Sequence, residues 1–289
     1  MFRIPIVPFL PVLLSALLAA PAQAAVSRTY VASYGDDANT AYSCDFAHPC
    51  RTFQTAFSQV TTGGEILAVD GSGYGTLVID RSVAVIANPG IFAGIGVFSG
   101  SGVTIATAGV NVTLRGLTLN GQGGSYGVNM TNGSRLSVEN CVIANFSTSG
   151  QHGVAVSTAA TVRIVDSLFR NNDTGIKVSG GAVASISGSQ FLGNANIGIY
   201  VTDNSVNTAS AAISRSVVSG SYYGIAFSNW LGSSSAVLTL SSSTVTGNQI
   251  GLYQAAAGGG TAVFEVLGNN AVRQNGTPTT GTITSFSTL

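Results

Sequence analysis

Charge is scarce in this chain. Charged residues occupy 8% of its 289 positions, against roughly a quarter in an ordinary globular protein. There is one lysine, Lys177, and only two histidines, His48 and His152. So neutral a surface has no electrostatic footprint for phosphate backbones or anionic lipid, which excludes nucleic acid as a partner class. Long apolar runs are missing as well. After the first two dozen residues no apolar span appears, so no membrane span is expected in the mature chain. Disorder is excluded by what remains, because 45% of the residues are hydrophobic and can form a sizeable core.

The exception at the start reads as an export signal. Arg3 is the basic residue, Ile4 to Ala20 is the apolar stretch, and Ala22-Gln23-Ala24 is a small-x-small cleavage site. Pro5, Pro8 and Pro11 interrupt the stretch, which is also short for a span. Residues 1–24 are therefore expected to be removed, leaving a mature chain from Ala25 that is secreted, periplasmic or on the cell surface. No cysteine follows the cleavage site, so no lipid anchor is expected. Loss of Arg3 leaves ten basic against eleven acidic side chains. Export makes a Cys44–Cys50 disulfide the expected state. Two free thiols are the alternative; zinc lacks ligands, because His48 is the only imidazole nearby. Cys141 lies in an apolar, strand-like segment and reads as a buried thiol.

A repeat organises the rest. Ile164, Ser167, Phe169, Asn172, Gly175, Ile176, Val178 is matched by Ile186, Ser189, Phe191, Asn194, Gly198, Ile199, Val201. The same order returns in Ile213, Ser216, Val218, Ser221, Gly224, Ile225, Phe227 and in Leu240, Ser243, Val245, Asn248, Gly251, Leu252. The repeated glycine falls at 127, 153, 175, 198, 224 and 251, read here as a turn residue. Alternating apolar residues inside each copy mean short strands, and a leucine-rich repeat would need a denser leucine framework. The expected fold is all-β: a right-handed parallel β-helix solenoid of roughly eight to ten coils, stacked at about 4.8 Å. Ile164, Ile186, Ile213 and Leu240 should form one inward column. Ser167, Ser189, Ser216 and Ser243, with Cys141 in register, should form another, and Asn172, Asn194 and Asn248 a hydrogen-bonded column at a turn. After Ala262 the pattern fades toward a Thr-rich tail.

An open solenoid end needs a cap. Phe53, Ala56, Phe57 and Val60 make one apolar helical face, with Gly63-Gly64 as its stop. The expected organisation is a signal peptide at 1–24, an N-terminal segment with a capping helix at 25–63, and a single β-helix at 64–289. The runs Pro49-Cys50-Arg51-Thr52-Phe53, Gly63-Gly64-Glu65-Ile66, Gly73-Tyr74-Gly75 and Leu114-Arg115-Gly116-Leu117-Thr118 resemble a family of secreted bacterial right-handed parallel β-helix repeat proteins. These are similar in fold to pectate lyases, and the resemblance implies that fold without a settled activity.

The residues themselves say little for catalysis. Calcium-dependent lyases need clustered carboxylates and a basic residue, whereas Asp70, Asp80, Asp166, Asp173 and Asp203 fall on different coils. The pair Asp36-Asp37 precedes the cap and reads as a solvated turn. Gly150-Gln151-His152-Gly153 imitates a hydrolase motif without its carboxylates, and His152 reads as a turn residue. Arg115 and Glu139 read as a surface ion pair. The candidate binding row is the x of Gly-apolar-x-apolar: Asn129, Ala155, Lys177, Tyr200, Ala226, Tyr253. Lys177, Tyr200, Tyr253 and Asn129 could hold sugar rings by stacking, with the ammonium meeting a carboxylate. The reading is a non-catalytic module that binds polysaccharide or serves a structural role at a surface, with no cofactor and no metal. A lyase or hydrolase of acidic glycans and a protein-assembly module are the alternatives; the sequence does not set the oligomeric state.

Overall fold

The computed structural model describes residues 25–203, 207–229, 235–256 and 261–286. The leader and its cleavage site lie outside the described residues. Among the described residues three parallel sheets, of eleven, nine and nine strands, wrap one core. We call them A, B and C; a typical coil runs Thr161–Val165 in A, Leu168–Arg170 in B and Thr174–Val178 in C.

The inward aliphatic column forms as expected. Ile164 pairs with Ile186, Ile186 with Ile213 and Ile213 with Leu240, and none is more than 1% exposed. Burying each such side chain contributes about 2 kcal/mol. In sheet B, Phe169 and Phe191 stack face to face with centroids 4.7 Å apart.

Both polar columns sit at corners and obey one rule: a left-handed residue turns the chain, then a polar side chain points in. At the A–B corner the turning residues are Asn140, Asp166, Gly188, Arg215 and Ser242, with φ from 47° to 61°. Asn, Asp and Gly tolerate that conformation best. The next residue is the ladder serine. Ser167, Ser189 and Ser216 each donate Oγ–H to a carbonyl two residues back, at 2.8, 3.0 and 2.8 Å. Each Oγ also accepts the N–H of the equivalent residue one coil earlier, at 3.2, 3.2 and 3.3 Å in turn. At the B–C corner Asn171, Gly193 and Gly247 make the turn. Here Asn172 donates Nδ2–H to Ile143 O at 3.1 Å, and Asn194 to Phe169 O at 3.1 Å. The backbone groups the bends would strand are thereby satisfied.

The repeated glycines are strand residues rather than turn residues. Gly153, Gly175 and Gly198 lie inside sheet C strands and have no positive φ. A Cβ on Gly175 would stand 2.5 Å from Gly198 O and 2.9 Å from the Phe191 ring. Glycine is required there because successive coils approach so closely.

At the N-terminal end Val26–Val31 is the edge strand of sheet A, in parallel with Val60–Ala68. The capping helix is Phe53–Gln59, with Thr52 as N-cap and Phe53, Ala56 and Phe57 buried. It stops before the expected glycine pair. Val60 already enters the strand, and Gly63, at φ 82°, lies where the pairing to Val26–Val31 shifts register. The Cys44–Cys50 disulfide is present. Cys50 N–H donates to Tyr30 O at 2.9 Å, and Ala32 N–H to Cys50 O at 3.0 Å, so the stapled loop covers part of the sheet edge. Asp36 and Asp37 are structural rather than a solvated turn: Asp36 caps the 3-10 helix Asp37–Tyr42, and Asp37 accepts the N–H groups of Arg51 and Thr52, both at 2.9 Å. The Thr-rich tail is also more regular than expected, adding strands Thr277–Thr280 and Ile283–Phe286. Asn270 and Asn275 extend the polar columns there, accepting from Ser243 N–H at 2.9 Å and Asn248 N–H at 3.0 Å.

Candidate functional site

The outer row of sheet C has the expected register. Asn129 pairs with Ala155, Ala155 with Lys177, Lys177 with Tyr200, Tyr200 with Ala226, and Ala226 with Tyr253. Lys177 and Tyr200 are therefore immediate neighbours on adjacent coils. Asn129 is not brought to them; it lies two coils from Lys177 with Ala155 between.

Lys177, Tyr200 and Tyr253 are half-buried rather than fully in solvent. The Tyr200 hydroxyl lies 3.1 Å from Ser228 Oγ on the next coil, and that Oγ donates to Thr202 Oγ1 at 3.0 Å. The phenol is thus drawn along the face instead of standing away from it. Tyr253 packs against Tyr223 at 4.9 Å between centroids, and Tyr223 against Tyr222 at 4.7 Å. Tyr222 is 50% exposed. These two tyrosines extend the row into an aromatic patch, and neither belongs to the candidate set drawn from the sequence. The signal available for Tyr223 is its place just before Gly224, equivalent to that of His152 before Gly153.

His152 opens the strand His152–Val156 and so is not a turn residue. It meets the Tyr126 ring edge-on at 5.6 Å. Burial first, and then the positive charge of Lys177, hold its imidazole below the ordinary value against a backbone hydrogen bond at Gln151 and the pull of Asp173. Lysine, histidine and tyrosines thus share one face, which can offer an ammonium, ring surfaces and hydroxyls.

The carboxylates are dispersed, although Asp166 and Asp173 prove to share one coil, at its A–B and B–C corners, and Asp173 lies near enough to the sheet C face for its charge to reach His152. Asp70 accepts from Ser33 N–H at 2.7 Å and from the Tyr74 hydroxyl at 2.6 Å. Asp80 pairs with Arg81 at 2.8 Å, and Asp173 accepts Gly150 N–H at 3.0 Å. Glu139 bridges Arg115 at 2.7 Å and Arg163 at 2.6 Å, a larger network than the expected pair. Among the described residues no group of three His, Cys, Asp or Glu is placed to hold a metal ion. Cys141 is buried, and burial pushes its thiol up to about 11.

The family described as "Right handed beta helix region" matches this sequence over residues 68–206 and 101–275. The chain belongs to the right-handed β-helix family. Among solved structures, one titled "Crystal structure of pectate lyase Pel9A" superposes on this β-helix with a TM-score of 0.64. The superposition covers 91% of this chain and 78% of that one at 14% identity. At that identity the likeness is one of fold. No curated protein matches the sequence. Among the described residues no helix is long and apolar enough to cross a membrane.

Proposed function

We propose that this β-helix is an exported, non-catalytic module that binds an acidic glycan along the outer face of sheet C. The observation that carries the reading is the register of Lys177 beside Tyr200, continued by the contact between Tyr223 and Tyr253. Aromatic faces stack on sugar rings, and the ammonium beside them supplies the partner for a uronate. A chain lying parallel to the solenoid axis meets these groups at successive coils. Export is supported by the leader and by the Cys44–Cys50 bridge, which suits an oxidising compartment.

The test is titration of the mature chain with polygalacturonate, with product analysis for unsaturated uronides. Lys177→Ala and Tyr200→Ala should each weaken binding about tenfold, a loss of about 1.4 kcal/mol. Lys177→Ala should leave the melting temperature nearly unchanged, because a surface lysine contributes little to stability. Unaltered binding in both variants removes this face from consideration, and accumulating unsaturated products replace the reading with a lyase.

A further inference from the structure

The corner where sheet A turns into sheet B carries a continuous groove on the side of the coil away from sheet C. Three concavities join end to end along it. The first, about 500 Å³, lies beside Tyr30, Phe46 and Ile91. The second, about 310 Å³, shares Asn88 and Ile91 with it and reaches Asn140. The third, about 350 Å³, shares Asn140 and adds Asp166, Leu168 and Gln190. The groove has a local cause. Most A–B corners turn on one left-handed residue, whereas residues 88–92 form a longer connection between Val83–Ala87 and Ala93–Val97 and stand out as a lip. From the Val60–Ala68 strand to the Val183–Ser187 strand the groove crosses five coil steps, about 24 Å at ordinary strand spacing.

Its chemistry narrows the occupant. The corner backbone is already committed from coil to coil. Gly116 N–H donates to Glu139 O at 3.0 Å, Asn140 N–H to Val165 O at 3.0 Å, and Asp166 N–H to Ser187 O at 3.1 Å. The groove runs across the strands and offers no free row of backbone groups, so a peptide cannot add to it as a strand. Recognition must come from side chains. Arg115 is neutralised by Glu139, and the exposed Asp166 carboxylate disfavours acidic polymers. Asn140, Asp166 and Gln190 are exposed. The first two project from consecutive left-handed corners, φ 50° and 48°. Asp166 occupies the space over Gly188, where a Cβ would stand 2.2 Å from its Oδ1. A carboxylate beside an amide, one strand step apart, presents the acceptors and donors that two neighbouring hydroxyls require. Leu168 offers an apolar floor, and at the other end Phe46, 64% exposed, is braced edge-on by Tyr30 at 5.4 Å.

We propose that this corner groove binds a neutral, hydroxyl-rich glycan several rings long, at a site separate from the sheet C face. The two sites lie on opposite sides of the coil, so one molecule can hold two chains at once.

The experiment is calorimetric titration of the full mature chain with cellohexaose, mannohexaose and xylohexaose, with polygalacturonate as the acidic control. At least one neutral hexaose should bind, and its trisaccharide at least tenfold more weakly. Asp166→Asn keeps a residue that tolerates the left-handed corner and should weaken neutral binding at least tenfold, leaving polygalacturonate binding unchanged. Phe46→Ala, on an exposed loop at the far end, should weaken the hexaose more than the trisaccharide. Lys177→Ala should leave neutral binding intact, so this proposal and the sheet C reading fail separately. No binding of any neutral hexaose, or binding indifferent to both Asp166→Asn and Phe46→Ala, overturns the groove. Loss of neutral binding in Lys177→Ala instead assigns the neutral glycan to sheet C and also overturns it.

Discussion

The two ladder corners of this β-helix solve one problem with different tolerance for error. Both must bend a chain whose backbone groups are buried, and both use a left-handed residue followed by an inward polar side chain. The serine ladder runs unbroken from Ser167 through Ser189, Ser216 and Ser243, each Oγ donating to its own strand and accepting from the coil before. The asparagine ladder has a gap. Asn172 accepts from Phe146 N–H and donates to Asn194, and Asn248 donates to Asn275, but Ser221 stands between the two pairs with its Oγ buried and unpartnered. A serine reaches only its own carbonyl and one neighbour, whereas an asparagine spans two coils. Each asparagine therefore carries more of the structure, and each omission is felt more.

The largest break should come at the glycine column beside the asparagine ladder. Gly175→Val would set a side chain against Gly198 O and the Phe191 ring. Such overpacking costs about 3 kcal/mol, readable as a lower midpoint in urea unfolding. Asn194→Ala is next. It removes the amide donor to Phe169 O and leaves the buried Asn172 N–H without its acceptor, so a loss of about 2–3 kcal/mol is expected. Ser189→Ala, the matching change at the other corner, should cost about 1 kcal/mol. Equal losses in Asn194→Ala and Ser189→Ala would dissolve the contrast between the corners.

Two smaller changes sharpen it. Ser221→Asn should close the gap and raise stability by about 1 kcal/mol. The equivalent Asn248 fits beside Gly224 in the same way that Ser221 lies beside Gly198. Cys141→Ser should be nearly neutral, because the thiol already points at Glu139 O, 3.3 Å away, as a ladder serine would. The native thiol should resist iodoacetamide at pH 8 until the chain unfolds, since burial raises it to about 11.

A further effect concerns acid. Burial works against the Glu139 charge, yet Ser137, Arg115 and Arg163 outweigh it and hold the carboxyl below its ordinary value of 4.5. A carboxyl depressed in the folded state stabilises above its unfolded pKa, and that contribution is lost as pH falls through the folded value. Glu139→Gln should therefore flatten the acid limb of a stability profile below that pH. It should cost about 1 kcal/mol at neutrality, because both arginine partners are half-exposed although Glu139 itself is largely covered.

Much of this was legible in the sequence because a solenoid repeats its own evidence. The spacing of Ile164, Ile186, Ile213 and Leu240 specified their column, and the serines and asparagines specified theirs, since every coil meets the same neighbours in the same order. The Cys44–Cys50 bridge and the cap face of Phe53, Ala56 and Phe57 were readable for local reasons, short spacing and helical period. What tertiary structure alone decided lies where coils touch or depart from the repeat. The glycines at 153, 175 and 198 look like turn residues in a linear reading and prove to be strand residues. Only the stacking distance shows that a Cβ would strike the next coil. Tyr222 joins the sheet C patch through a ring contact, and Glu139 gains Arg163 from an offset row. The corner groove unites Phe46 with Gln190 only because five coils of stacking carry residues far apart in sequence onto one edge.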